Sequence, residues 1–234
     1  MTGTTMEIRR SALTIGDGYA VYRGPVADGP IHRHGAFQIV AAGRGRVAMV
    51  DPAGTRHRAA ALVVSPMAPH RILAVPDLVT YFIEPHCRYA DLLRRCYHPG
   101  IAAAPELGEL GEPEVAAACR GRSQQLDPRL VTVLALLADD SIPMANLAAA
   151  VRLSPQRLRA LARRDLGMPL TRWRVWSRLR RAVEAAQSGM PPAEAATAAG
   201  FADQAHFARQ MREMMGLTPT VVLRGLGDQG LRAT

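Results

Sequence analysis

Apolar residues in the first third of the chain occur in short runs separated by turn-forming residues. Runs of this length, rich in Val, Ile, Tyr and Phe, predict β-strands. The predicted strands are Tyr19 to Arg23, Phe37 to Ala41, Val47 to Asp51, His57 to Val64, Ile72 to Val75 and Leu78 to Ile83. The predicted turns are rich in Gly, Pro and Asp, and one of them is Val75 to Asp77. This pattern predicts a small antiparallel barrel or sandwich.

The apolar pattern becomes helical from Pro85 onward. A helix is predicted from Cys87 to Tyr97, because its apolar residues recur at intervals of three and four. Those residues are Tyr89, Leu92, Leu93 and Cys96, with arginines on the opposite face. Two more helices are predicted, from Glu112 to Gln124 and, capped by Asp127, from Pro128 to Asp139. The Pro-, Gly- and Ala-rich residues 98–111 are predicted to be a connector.

Residues 195–219 predict two short helices joined by a sharp turn. Gly200 supplies the backbone freedom that the turn needs, and Asp203 is placed to cap the second helix. The apolar residues that predict the inward face of that helix are Phe207, Met211 and Met214. Gly216 predicts where the helix ends.

A second helix pair with the same layout lies upstream, in residues 142–170. Ser154 is placed to cap its second helix, Pro155 takes the first helical position, and Gly167 ends it. A single helical hairpin is typical of an ordinary packed core. Two such pairs joined by one long helix, from Pro169 to Gln187, instead predict a tandem helix-turn-helix domain that places two helices in DNA major grooves.

The distribution of charge supports this interpretation. The 234 residues carry a formal charge of +9, and all 29 cationic side chains are Arg. Residues 1–140 contribute +1 and residues 141–234 contribute +8. The excess positive charge therefore lies on the predicted helix-turn-helix half, as binding to DNA phosphates requires.

Residues 141–223 resemble the DNA-binding domain of AraC/XylS-family transcriptional activators. The matching residues are Leu153, Ser154, Pro155, Leu158, Gly167, Arg178, Leu179, Ala182, Gly200, Phe201, Asp203, Gln204, His206, Phe207, Arg209, Gly216, Leu217, Thr218 and Pro219. The chain departs from the family pattern at Ala162, Ala205, Met211 and Met215. The resemblance implies that the protein binds a double-stranded DNA operator as a homodimer, with RNA polymerase as a candidate partner. The helix from Cys87 to Tyr97 is the candidate dimer contact; the alternative is that it packs only on its own sheet.

Candidate DNA contacts lie on the outward faces of the two second helices. The residues expected to contact base edges are Gln156, Arg157, Arg159, Gln204, His206 and Arg209. Arg pairs well with guanine and Gln with adenine. The residues expected to hold phosphates are Arg163, Arg164, Arg172, Arg174 and Arg212. The alternative for any one of these arginines is a solvated helix face.

Two segments of the β-rich part resemble the sequence motifs of cupin barrels. His32 and His34 lie two apart on an extended segment and so point to one face, and His70 matches the histidine of the second motif. Gln38 stands where many cupins have Glu. The resemblance implies a site for a divalent transition metal, Zn, Ni, Fe or Mn, held by these four residues. The alternative is a sensor that binds an organic effector without metal.

Two other functional classes stay open. A metal-dependent cupin enzyme with a helical appendage would use the same histidines, but the sequence contains no G-x-S-x-G, Walker or H-E-x-x-H motif, so we expect no enzyme. A thiol-based redox sensor would use Cys87 or Cys96. The three cysteines form no C-x-x-C pair, which fits a reducing compartment.

The sequence also shows no secretory signal pattern and no apolar run of about 20 residues, which predicts a cytoplasmic, nucleoid-associated protein that does not enter membranes. The predicted fold is α+β with two domains. A cupin-like β-barrel in residues 1–84 would sense a small-molecule or metal effector. A helical dimerisation and linker segment in residues 85–140, a tandem helix-turn-helix domain in residues 141–223 and a flexible tail in residues 224–234 would follow.

Overall fold

The computed structural model describes residues 12–137, 142–219 and Val222. The strands are β1 Ala12–Gly16, β2 Tyr19–Val26, β3 Phe37–Ala42, β4 Val47–Val50, β5 Arg56–Ala59, β6 Ala61–Val64, β7 Arg71–Ile72, β8 Val75–Ile83 and β9 Ile101–Ala103. The helices are α1 Arg88–Cys96, α2 Glu112–Cys119, α3 Pro128–Leu136, α4 Met144–Ala150, α5 Pro155–Leu166, α6 Leu170–Gln187, α7 Pro192–Ala198 and α8 Gln204–Met215, with a short 3-10 helix at Pro105–Leu107. The predicted tail and the residues around Asp139 lie outside the described ranges.

The strands form two antiparallel sheets. The larger sheet has the order β1-β2-β8-β3-β6-β9, and the smaller has the order β5-β4-β7. The chain passes from one sheet to the other at Ala60, so the single strand predicted from His57 to Val64 is two strands. In the described part of the chain the two sheets do not join into a closed barrel, which corrects the predicted architecture of this half. The α+β organisation, with β-structure first and helices after it, is confirmed.

The larger sheet is buried on both faces, which explains its long apolar runs. Along β2, Ala20 and Tyr22 point into the core that both sheets share with the helical half. Tyr19 and Val21 point to the other face, where α1 and α2 cover the sheet. Tyr89 and Leu93 of α1 are among the residues that fill this second core. The apolar face of α1 therefore packs on its own sheet, while Leu92 stays 44% exposed.

Strand β8 runs through a segment that the sequence predicted as a turn. Pro76 and Asp77 belong to β8, which begins at Val75. The pairing of β2 with β8 shifts register between Gly24 and Val26, opposite this segment. Such an irregularity lets proline occupy a strand without breaking a regular hydrogen-bond ladder. Strands β1 and β9, which the sequence analysis did not predict, form the two edges of the same sheet.

The ends of the helix-turn-helix helices follow the local signals in the sequence. The Ser154 hydroxyl accepts a hydrogen bond from the Arg157 amide at 3.2 Å. The Asp203 carboxylate accepts one from the His206 amide at 2.6 Å. Helices α5 and α8 end at Gly167 and Gly216, whose φ angles are +70° and +68°, the left-handed conformation that glycine adopts without strain.

Helix α6 joins the two helix-turn-helix units and also ties them to the β-rich part. Its Trp176 is completely buried, and the indole Nε1 donates a hydrogen bond to Glu84 at 2.9 Å. Arg180 donates to the same carboxylate at 2.5 Å and to the Gly16 carbonyl at 2.8 Å. The core of the helical half is continuous with the inner core of the sheets, so the two halves pack against each other. None of the described helices is long and apolar enough to cross a membrane.

Candidate DNA-binding surface and histidine site

The first helix-turn-helix unit consists of α4 and α5. Leu158, Leu161 and Leu166 are buried on the inner face of α5. The outer face carries the exposed side chains of Gln156, Arg157, Arg159, Arg163 and Arg164. Of these, Arg164 forms an ion pair with Asp165. The predicted base-contacting residues of this unit therefore lie on an exposed, cationic helix face.

The second unit consists of α7 and α8 and has the same construction. Phe207, Met211 and Met214 of α8 are buried, as the spacing predicted. Gln204, Arg209 and Arg212 are exposed on its outer face. His206 is half-buried, because its ring packs edge-on against Phe201 at 5.4 Å and its Nδ1 accepts from the Ala202 amide at 3.3 Å. His206 thus supports the turn as well as lying beside the predicted contact face.

Two of the predicted phosphate-binding arginines, both on α6, donate hydrogen bonds to backbone carbonyls. Arg174 donates to the Ile142 carbonyl at 2.6 Å. Arg172 donates to the Arg33 carbonyl at 3.3 Å, which links α6 to the segment that carries the histidines. Arg172, Arg209 and Arg212 line an open groove whose other wall is the segment from Pro30 to Arg33. The second helix-turn-helix unit and the histidine segment therefore share one basic groove.

The structure brings His32, His34 and His70 together. One ring nitrogen of each lies within 4.8 Å of those of the other two, and all three residues are buried. Paired backbone hydrogen bonds of 2.8 and 3.0 Å join His32 to His70. His34 packs edge-on against Phe82, with 5.6 Å between ring centroids.

Each imidazole is fixed through Nδ1 on a nearby carbonyl oxygen. The acceptors are Pro30 for His32 at 3.3 Å, Ala36 for His34 at 2.8 Å and Ala68 for His70 at 2.9 Å. Because a carbonyl only accepts, Nδ1 carries the hydrogen in each ring and Nε2 carries a lone pair. Histidine ligands of metals are commonly oriented in this way.

Among the described residues, the Nε2 atoms of His32 and His70 are buried and have no hydrogen-bond partner. Burial lowers the pKa of His32, lowers that of His34 to about 4, and lowers that of His70 well below its usual range. The rings are therefore neutral near pH 7, the form that binds cations. A buried polar atom without a partner is costly, and three neutral imidazoles with ring nitrogens within 4.8 Å of one another suit a divalent transition metal.

Gln38 lies beside Nε2 of the third ring, that of His34. Its Oε1 is 3.1 Å from His34 Nε2, and the side chain is 1% exposed. Gln38 Oε1 and the lone pair on His34 Nε2 are both hydrogen-bond acceptors, and two acceptors do not bond to each other. The contact therefore requires either that the Gln38 amide is rotated so that its NH₂ group donates to Nε2, or that a cation binds the His34 lone pair. A neutral amide gives the three imidazoles no anionic charge, in contrast to the Glu of the cupin pattern.

The end of α8 covers the histidine site, which nothing in the sequence analysis predicted. A Cβ on Gly216 would lie 2.7 Å from His32 Cε1 and 2.8 Å from Nε2, so the backbone there is in direct contact with the ring. A cavity of about 20 Å³ has Gln38 and His32 in its wall on one side and Met215, Gly216 and Leu217 on the other. Such a cavity has room for about one water molecule.

The cysteines occupy two different environments. Cys87 and Cys119 are buried in the outer core, and Cys96 is exposed on α1. A hydrogen bond between the Cys87 and Cys119 thiols lowers the pKa of Cys87 and, together with burial, raises that of Cys119. The redox alternative therefore has a buried thiol at Cys87 and an accessible one at Cys96.

Comparison with known proteins gives matches to the helical half and to the whole fold. A family model described as a helix-turn-helix domain matches residues 147–225. The arabinose operon regulatory protein of Escherichia coli (strain K12) is 35% identical over 94 residues, which are 40% of this chain and 32% of that protein. The chain thus matches about a third of the length of that relative.

Solved structures of ToxT from Vibrio cholerae share the fold of both halves. The crystal structure of ToxT from strain O395 aligns with a TM-score of 0.60 over 90% of this chain and 99% of that chain, at 11% identity. Unsaturated fatty acid-bound ToxT from strain SCE256 aligns with a TM-score of 0.56 over 86% and 93% of the two chains, also at 11% identity.

The fold and the matches define the chain as a two-domain protein, in which a tandem helix-turn-helix domain follows a β-rich domain. More specifically, the helical half is similar in sequence to the arabinose operon regulatory protein, which supports the resemblance of residues 141–223 to the DNA-binding domain of AraC/XylS-family regulators.

Proposed function

We propose that this protein is a sequence-specific DNA-binding transcription regulator. The observation that carries the proposal is the pair of helix-turn-helix units, each with a buried apolar face and an exposed cationic face on its second helix, α5 and α8. The same half of the chain holds a net charge of +8. An exposed cationic helix on a helix-turn-helix scaffold is the usual reader of a major groove.

Helix α6 would set the spacing of the two readers. Its 18 residues span roughly 27 Å at 1.5 Å per residue. Two recognition helices that enter successive major grooves on one face of DNA lie about 34 Å apart, which is one turn of the duplex. Helix α6 and the short connections at its ends fit that spacing, so we infer that both units contact successive major grooves.

The exposed residues divide into two roles. Gln156, Arg157 and Arg159 on α5, and Gln204 and Arg209 on α8, would contact base edges or their neighbours. Arg163, Arg164 and Arg212 would hold phosphates and set the register on the duplex. Arg172, Arg174 and His206 already form hydrogen bonds with backbone groups, so their role would be to position the reading helices as well as to contact DNA.

Replacing Arg209 by Ala tests the proposed reading face. Loss of a bidentate contact to guanine should weaken specific binding by roughly 1–3 kcal/mol and non-specific binding much less. Binding of the full-length protein to a selected DNA site and to unrelated DNA, measured at one salt concentration, separates the two effects. Arg95→Ala is the matched control, because it removes an exposed arginine from α1. Equal losses for the two variants would remove Arg209 from the reading face.

We further propose that the β-rich domain senses a divalent transition metal at His32, His34 and His70. The support is the pair of buried, unpartnered Nε2 atoms and the carbonyl oxygens that orient all three rings. Zinc, nickel and iron accept imidazole nitrogen readily. The role of Gln38 would be to border the site, since a neutral amide is a weak ligand for these metals.

Metal content of purified protein tests this sensor. We expect about one metal ion per chain, removed by a chelator and absent from a His34→Ala variant. His57→Ala is the matched control, because His57 lies on β5 and pairs with Asp51 rather than with the site. Full metal content in His34→Ala, or none in the unsubstituted protein, would contradict the metal site.

An organic effector is the second candidate input. ToxT has been crystallised with an unsaturated fatty acid, and its fold is shared with this chain. Here the cavity beside the histidines holds about one water molecule, so a larger ligand would have to displace the end of α8. We also propose that the protein acts as a cytoplasmic homodimer at the nucleoid, where RNA polymerase is a candidate partner.

A further inference from the structure

The His32 ring lies between the histidine site and the second helix-turn-helix unit. On one side are the rings of His70 and His34, at centroid distances of 4.4 and 6.0 Å. On the other side is Gly216, the residue that ends α8. Because Gly216 has no side chain, its backbone lies against the imidazole. The His32 ring therefore contacts both the histidine site and the end of the second helix-turn-helix unit.

Docking of α8 also encloses His32 Nε2. His32 is 9% exposed, and among the described residues its Nε2 has no hydrogen-bond partner. When α8 is docked and the site is empty, this lone pair is shielded from bulk solvent and no described protein group donates a hydrogen bond to it. A bound cation would satisfy it without exposing it. The docked arrangement is thus disfavoured by an empty site and favoured by a filled one.

We propose that metal occupancy of the histidine site holds the end of α8 on the β-rich domain, so that the site controls the position of the second helix-turn-helix unit. This inference rests on the metal sensor proposed above. The cavity that borders His32 and Met215 has room for about one water molecule, so one small ligand fits beneath the docked helix next to the His32 ring.

Docking places the reading face of α8 beside the β-rich domain. Arg209 and Arg212 line the same groove as the segment from Pro30 to Arg33. A filled histidine site would fix these arginines relative to that segment, and an empty site would let the second unit move independently of it. The metal would therefore act on the second unit by binding more tightly when α8 is docked than when it is undocked.

Amide hydrogen exchange of the full-length protein, with Zn²⁺ and with chelator, tests the coupling. We expect Zn²⁺ to slow exchange by about ten-fold in residues 204–217 and in residues 30–33, because local opening of the docked helix becomes rarer. Residues 155–167, the corresponding helix of the first unit, should change much less. Zinc content measured on the same samples reports binding independently of docking.

Two alanine substitutions provide a matched pair. Gly216→Ala places a Cβ against the His32 ring and also strains a φ of +68°. Gly167→Ala strains a φ of +70° at the end of α5, where a Cβ would meet nothing within 4 Å. Both should lose similar stability through backbone strain. Only Gly216→Ala should lose the zinc-dependent protection of residues 204–217.

Each outcome decides a different point. Zinc bound at full stoichiometry with unchanged exchange in residues 204–217 would overturn the coupling and leave the metal site standing. No bound zinc would overturn both, while DNA binding by the helix-turn-helix domain would be judged separately. Equal zinc responses in Gly216→Ala and Gly167→Ala would show that the His32 contact does not transmit occupancy. The unsubstituted protein gives the first two results even if Gly216→Ala does not fold.

Discussion

The three histidines of the site have the same local arrangement. Each Nδ1 donates to a carbonyl oxygen two residues away along the chain, so the ring orientation depends on short loops rather than on distant side chains. The convergence of the rings depends on longer-range structure, because His32 and His70 come from separate segments that pair through their backbones. Local geometry thus orients the lone pairs, and strand pairing brings them together.

Burial of these rings predicts a dependence of stability on pH in metal-free protein. The pKa of His34 is about 4 in the folded state, below the ordinary value of 6.5, because burial disfavours the charged form. Between these values the unfolded chain binds more protons, so the free energy of unfolding should fall as pH decreases from 6.5 to 4. His34 alone accounts for roughly 3 kcal/mol of this loss.

Denaturant unfolding of chelator-treated protein across this pH range measures the effect. The loss should be smaller in His34→Ala than in the unsubstituted protein. A free energy of unfolding that stays constant from pH 6.5 to 4 would contradict the buried, neutral state of the three rings.

Sequence predicted the helices of the DNA-binding half well, because their ends are determined by neighbouring residues. Ser154 and Asp203 cap α5 and α8, and Gly167 and Gly216 end them, as expected. The β-rich half was predicted less well. Pro76 lies within β8 because the partner strand shifts register, and the switch between sheets at Ala60 carries no turn signal. Both depend on pairing between distant segments.

The same distinction applies to the candidate site. Spacing and motif pointed to His32, His34 and His70, and the structure places them together. The cover formed by Gly216 could not be predicted, because a glycine that ends a helix has the same local pattern whether its open side faces a ring or solvent. Gly167 illustrates the second case.

Helix α6 should contribute to stability through its contact with Glu84. This carboxylate is buried and accepts hydrogen bonds from Trp176 and Arg180. Removing Arg180 leaves the buried charge with less compensation, so Arg180→Ala should lower the free energy of unfolding by roughly 3–5 kcal/mol.

Glu184→Ala is the control for this prediction. It removes the exposed ion-pair partner of Arg180. The Glu184 carboxylate lies 3.4 Å from Arg180 Nη2, and the Glu184 side chain is 47% exposed. Exposed pairs contribute roughly 0–1 kcal/mol, so this variant should unfold almost normally. Similar denaturation midpoints for Arg180→Ala and Glu184→Ala would contradict the stabilising role of the buried contact.

At the scale of the whole molecule, the two halves share one hydrophobic core and are joined by further contacts. Helix α6 donates hydrogen bonds to Glu84, to the Gly16 carbonyl and to the Arg33 carbonyl. The ring of His32 packs against the end of α8. In the first helix-turn-helix unit, a Cβ on Gly167 would meet no atom of the described chain within 4 Å, so the end of α5 makes no comparable contact. We therefore expect an effector to act mainly on the second unit, and the first unit to keep its DNA contacts in both states.

Selection from a pool of randomised duplexes tests most directly whether the chain reads DNA with two helices. Full-length protein should enrich sites with two short conserved segments whose centres are about 10 base pairs apart, one segment for each reading helix. Arg209→Ala should relax the preference in one segment and leave the other intact. Failure to enrich any sequence, with binding that depends only on salt, would contradict the account.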